Sequence, residues 1–308
     1  MVKMAFKKGS IKIKGVLQVN MENMETNLEL HSGLKKIFSS YQDILEVLLT
    51  YHSHKRACRL VVSEDELRSI STLCEKNRLF MAVQDFKIVE RFDKGKGGAL
   101  ANRSDMVALN NNDGKYLVYI SMSREDALQA KEYEKINHPD FGIMLGYPKC
   151  CVEYYLKNIK TAARHQGDLI VSAIKDLAIF PFVNNFCLRY FGISILSHFP
   201  CSFDCERSRT LGERFLKVLG AYAPELKENY ERVLKSFVLY TEEEGIFFTS
   251  DYEFKSGRIN YRNIKGSVSK GRFFDELRSN TSIVCDSFSK FTIGKTTFDG
   301  GGFVIMFG

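Results

Sequence analysis

No stretch of this sequence is long and apolar enough to cross a membrane as a helix. The most apolar run, Leu177 to Phe203, is interrupted by Pro181, Asn184, Asn185, Arg189, His198 and Pro200, which predicts a buried core segment instead. The lysines near the N-terminus precede no uninterrupted apolar region, so a secretory signal is not expected and a cytoplasmic address is. There is no Cys-x-x-Cys, which removes the usual sign of a dithiol redox protein. Gly95-Lys96-Gly97-Gly98 lacks the spacing and the following Lys-Ser/Thr of a phosphate-binding P-loop. Low-complexity linkers are missing too, and the only internal repetition is a pair of short proline–cysteine segments. The first acidic residue is Glu22, and Lys3, Lys7, Lys8, Lys12 and Lys14 precede it. Those five lysines supply most of the net charge of +7, so the rest of the chain carries only about +2. Nucleic acid is therefore not an expected partner.

What is present is an ordinary globular mixture, 44% hydrophobic and 26% charged over 308 residues, enough to bury a sizeable core. The patterning predicts an α+β fold. Residues 1–140 read as a mixed α/β region. It has a strand-like alternation over 10–20 and helical spacing from Leu34 to Tyr51. A short strand at Arg59–Val62 is followed by a helix start at Ser63-Glu64-Asp65-Glu66. Strands are predicted at Phe80–Val89, Met106–Leu109 and Tyr116–Ile120, with Asn110 to Gly114 as a hairpin loop between the last two. A helix capped by Ser123 closes the region. Residues 141–240 read as helical, with helices over Cys150–Lys160, Leu169–Phe180, Asp204–Leu219 and Pro224–Tyr240 and a buried strand at Gly192–Ser197. Residues 241–308 read as β-rich, with one helix near Phe273–Arg278 and a final strand at Phe303–Phe307.

Four of the eight cysteines sit in two segments of matching design, Gly146-Tyr147-Pro148-Lys149-Cys150-Cys151 and His198-Phe199-Pro200-Cys201-Ser202-Phe203-Asp204-Cys205. Each places an aromatic residue and a proline just ahead of a cysteine and is predicted to open a helix. A first helical turn offers unpaired N–H groups and partial positive charge, which favour thiolate over thiol. In a reducing compartment, clustered cysteines point to metal or catalysis. Four intervening steps would put Cys201 and Cys205 on one helical face. Zinc suits four thiolates in tetrahedral geometry, and an iron–sulfur cluster suits the same set. Cys58, Cys74, Cys187 and Cys285 stand singly in apolar surroundings and are expected to pack in the core.

The stretch Leu145-Gly146-Tyr147-Pro148-Lys149-Cys150-Cys151, with the later His198-Phe199-Pro200-Cys201, resembles an uncharacterised prokaryotic family, domain-of-unknown-function family 483. The resemblance covers about residues 115–220. It implies that these positions form one site, and it brings no activity.

The leading expectation is an enzyme that uses an iron–sulfur cluster or zinc, held by Cys150, Cys151, Cys201 and Cys205, to modify a small molecule or peptide. His198 or Asp204 would handle protons, with Glu153 as a further candidate by proximity, and Arg207 or Arg209 would hold an anionic group. The alternatives are a non-enzymatic protein-binding module with structural zinc and a metal-free catalytic or redox thiol. In the metal-free case Cys150 and Cys201 are the expected low-pKa thiols, since each follows proline in an opening turn.

Overall fold

The computed structural model describes residues 21–93, 95, 96, 98–164 and 168–308. The strand expected over residues 10–20 and the N-terminal lysines lie outside the described residues. Among those described, ten α-helices and fourteen strands in three sheets make an α+β fold. No described helix is long and apolar enough to cross a membrane.

The first layer holds α1 (Met21–Ile37), α2 (Tyr41–Tyr51), β1 (Ala57–Val62), α3 (Glu64–Lys76), β2 (Phe80–Asp93), β3 (Gly98–Val107), β4 (Lys115–Ser121) and α4 (Arg124–Lys135). The helical spacing from Leu34 to Tyr51 is split in two, because Ser40 caps a fresh helix by accepting from the Asp43 amide. The capping box of Ser63 and Glu66 starts α3 as predicted. The antiparallel sheet runs β1-β4-β2-β3. Residues 110–114 therefore do not close a hairpin between adjacent strands. The loop crosses β2, and the Lys87 ammonium of that strand props it by donating to the Asn111 carbonyl at 3.0 Å. Turn chemistry marks where a chain bends, but it does not say which strand will pair. Along β4, Val118 and Ile120 face α1–α3 while Leu117 and Tyr119 face α4, so both sides of the sheet are covered.

The middle of the chain carries α5 (Phe141–Met144), α6 (Lys149–Arg164), α7 (Ile170–Ala173), β5 (Ile179–Phe180), two 3₁₀ turns (Phe182–Asn184 and Cys187–Phe191), α8 (Glu206–Tyr222) and α9 (Pro224–Leu234). Three expectations are corrected here. Residues 192–197 form no strand: Gly192 reverses the chain at φ +69°, and Ser194 donates to the Leu196 carbonyl in an irregular loop. The predicted helix over 169–180 survives only as the four residues of α7. The predicted helix over 224–240 stops at Leu234, and Phe237–Tyr240 forms a strand with all four residues buried. A run buried on both faces shows no alternation, so periodicity cannot separate it from helix.

That strand, β6 (Phe237–Tyr240), begins the C-terminal set: β7 (Ile246–Thr249), β8 (Tyr252–Lys255), β9 (Arg258–Tyr261), β10 (Lys265–Gly266), α10 (Arg272–Ser279), β11 (Ser282–Cys285), β12 (Lys290–Ile293), β13 (Thr296–Asp299) and β14 (Phe303–Phe307). One sheet has the order β10-β7-β6-β14-β5 and another β13-β12-β11-β9-β8. Phe237, Leu239, Val304 and Met306 pack toward the second sheet and α10. Val238, Tyr240, Ile305 and Phe307 pack toward the helical middle, where they meet Phe180, Phe203 and Phe215. Phe203 lies inside the second cysteine segment, so this core anchors that segment from below.

Candidate metal centre

The first cysteine turn depends on a glycine. Gly146 has φ +80°, and a Cβ there would lie 3.0 Å from Cγ of Lys55. The position therefore demands both left-handed backbone and close approach. Pro148 then opens α6, its carbonyl accepting from the Cys151 and Val152 amides at 2.8 and 3.1 Å. Cys150 and Cys151 fall in the first helical turn, as the sequence predicts.

The second turn is built differently, and the expected shared helical face is corrected. Cys201 precedes the helix in a bend, and Cys205 is the N-cap of α8 with extended φ/ψ of −60° and 108°. The Cys205 amide donates to the Ser202 carbonyl at 3.0 Å, closing a tight turn between the two cysteines. Asn184 holds this turn from outside, donating to the carbonyls of Phe203 (2.9 Å) and Cys205 (3.2 Å).

The two turns converge. Cys150 and Cys151 sulfurs are 3.9 Å apart, and each lies 3.8 Å from the Cys205 sulfur. With Cys201 included, all four sulfurs lie within 4.8 Å of one another and could hold a metal ion. Cys151 and Cys205 are buried, while Cys150 and Cys201 are half-buried. The donor set fits a thiophilic ion: a tetrahedral ion with bonds of about 2.3 Å to sulfur has sulfur–sulfur edges of about 3.8 Å. Hydrogen bonds already point at the sulfurs, the Cys201 amide donating to Cys151 Sγ at 3.4 Å and Ser208 Oγ lying 3.2 Å from it.

The electrostatics single out Cys205. The hydrogen bond from the Cys151 thiol, with those of the Ser208 amide and hydroxyl, draws Cys205 down to about 4. Cys151 moves up, as the proton donor of that pair and through burial. Burial and the neighbouring Cys205 push Cys201 up to about 12. The expectation of a low-pKa Cys201 is therefore corrected: it lies outside the helix whose N–H groups would have helped it, and the thiolate belongs at the N-cap.

The predicted acid–base and anion-holding residues are dispersed around the sulfurs. His198 is buried, its Nε2 2.9 Å from Ser208 Oγ, and burial with nearby Lys55 depresses it to about 3. Asp204 is exposed, accepts from Ser202 and faces Lys175 at 3.7 Å. Arg207 is exposed on the first turn of α8, and Arg209 is engaged with Glu206 and Glu213. Glu153 pairs with Lys149 at 3.7 Å. Cys58, Cys74, Cys187 and Cys285 are buried in the hydrophobic cores, as expected, and burial raises each thiol.

Several residues at the site carry no sequence signal of their own. Ser208 bridges Cys151 and His198. The Lys55 ammonium, fully buried, takes both oxygens of Glu46 at 2.5 and 2.6 Å and Ser197 Oγ at 3.0 Å. Ser197 also pairs with the Tyr147 hydroxyl. Lys55 and Ser197 thereby tie Tyr147, within the first segment, to the residue that immediately precedes the second. Only the helical register of α8, which sets Ser208 three residues after Cys205, could have suggested any of these.

No curated protein and no solved structure matches this chain. Residues 123–235, which include both cysteine turns and the elements between them, match the model of a family described as a protein of unknown function, DUF483.

Proposed function

We propose that Cys150, Cys151, Cys201 and Cys205 bind one zinc ion as a closed four-thiolate centre, and that this centre is structural. The reading rests on one observation, the three sulfur–sulfur separations of 3.8, 3.8 and 3.9 Å, which equal the edge of a single-ion tetrahedron. A four-iron cluster gives each thiolate its own iron and needs the sulfurs further apart. Four protein thiolates also leave no coordination position for water or substrate, the mark of structural rather than catalytic zinc. The ion would join the start of α6 to the start of α8 and so supply folding free energy to the middle of the chain. On this reading the protein is a metal-stabilised module, and binding is favoured over metal-centred catalysis as its activity. Asp204 and Glu153 support this, since both carboxylates are directed to lysines.

Anaerobic purification followed by metal analysis and a visible spectrum tests it. One zinc per chain and a colourless protein are expected. A brown protein with several irons per chain would replace this reading with a cluster. A metal-free, folded protein would leave a thiol site instead, with Cys205 as its nucleophile because its thiol is the one drawn down. Rapid alkylation of Cys205 below pH 7 would mark that outcome.

A further inference from the structure

Behind the sulfurs lies a polar pair that the coordination set does not use. Ser208 is fully buried, and its hydroxyl stands between Cys151 Sγ at 3.2 Å and His198 Nε2 at 2.9 Å. His198 is 6% exposed and its Nδ1 has no hydrogen-bond partner among the described residues. The same hydroxyl also reaches Cys205, and with one proton it can donate either to sulfur or to the ring, not to both. A metal-bound thiolate is an acceptor only, so the hydroxyl proton must turn toward sulfur. The serine oxygen is then left as an acceptor, and a neutral imidazole can satisfy it only by presenting Nε2–H. Burial keeps the ring neutral, with a single N–H to place. The unpartnered Nδ1 agrees with this assignment, because a bare ring nitrogen there leaves no buried N–H unsatisfied.

Resting on the reading of a metal-bound centre, we propose that Ser208 and His198 are positioning residues for the Cys151 ligand, with His198 held as the Nε2–H tautomer and Ser208 donating to the Cys151 thiolate. This is the outer support that metal ligands commonly require, and its loss typically weakens metal binding by about 10–100-fold. With the Cys201 amide, the pair gives Cys151 two donors, which spread the charge of the most buried ligand.

The test uses the full-length protein, zinc ion and a competing chelator, with ring nitrogen NMR of the zinc-loaded wild type. Wild type is expected to bind one zinc, and His198 to show a protonated Nε2 and an unprotonated Nδ1. Ser208→Ala and His198→Phe should each weaken zinc binding by about 10-fold or more, whereas His198→Gln, which can still donate to Ser208, should stay within a few-fold of wild type. Unchanged affinity in Ser208→Ala, or a proton on Nδ1, would overturn the proposal and leave the zinc centre standing. Failure of wild type to bind zinc would overturn both. If Ser208→Ala does not fold, the tautomer in the unaltered protein still decides.

Discussion

The two proline–cysteine turns look alike in sequence and are held by different physics. The first is a true helix opening, shaped by left-handed Gly146 and braced from the N-terminal layer by the buried Lys55–Glu46 pair. The second is a bend that ends at a helix cap, braced by the Asn184 carboxamide and by Phe203 in the core. Matching residues thus reach one point in space by unlike routes. What the two turns share is what they deliver, two sulfurs apiece to one cluster, and not a common local conformation.

The largest effect expected is loss of the centre itself. Cys151→Ala and Cys205→Ala, one from each turn, should both abolish stoichiometric zinc, while Cys58→Ala and Cys285→Ala should leave it unchanged by metal analysis. A structural zinc contributes apparent binding free energy of about 10–16 kcal/mol, so the ligand variants should also melt far below wild type. Retention of zinc by either ligand variant would break the symmetry claimed for the two turns.

Next comes the brace of the first turn. Glu46→Ala leaves the Lys55 ammonium buried without its partner and should cost about 3–5 kcal/mol in urea unfolding. Replacing both partners by apolar residues, Glu46→Leu with Lys55→Met, should recover much of that loss. If it does not, Lys55 matters for its bond to Ser197 and not only for its charge pairing.

The brace of the second turn is neutral and its loss should be milder. Asn184→Ala removes two donated hydrogen bonds to buried carbonyls and should cost about 1–3 kcal/mol. A loss equal to that of Glu46→Ala would erase the distinction drawn between the turns.

The smallest expected effect is acid sensitivity. His198 has a folded-state pKa depressed to about 3, so between there and its ordinary value of 6.5 the unfolded chain binds the extra proton. Stability therefore falls as pH drops through that window, and the contribution is fully present only above about 6.5. From pH 7.5 to 5.5 this histidine should remove about 1 kcal/mol, a loss absent in His198→Gln. His31, His52 and His54 are lowered by burial too and should add to the slope in the same direction.

The α+β class and the gathering of Cys150, Cys151, Cys201 and Cys205 were legible in the sequence because both rest on local signals. Ser63 and Ser123 announce helix starts through their own caps, and paired proline–cysteine segments announce a site. The β6 strand was not legible, since Phe237 to Tyr240 is buried on both faces and shows no period. Nor was the crossing of β2 by the 110–114 loop, because strand order is set by long-range pairing. The site's support was hidden for the same reason: Glu46, Lys55 and Asn184 lie far along the chain from the cysteines they steady, and nothing in their own neighbourhoods marks them.

The central claim is a single ion held by four thiolates, and X-ray absorption at the metal edge of the anaerobically purified protein tests it most directly. The expected result is zinc with four sulfur neighbours at about 2.3 Å and no metal–metal scattering. Iron with a nearby iron neighbour, or zinc with oxygen or nitrogen replacing two or more sulfurs, would contradict it.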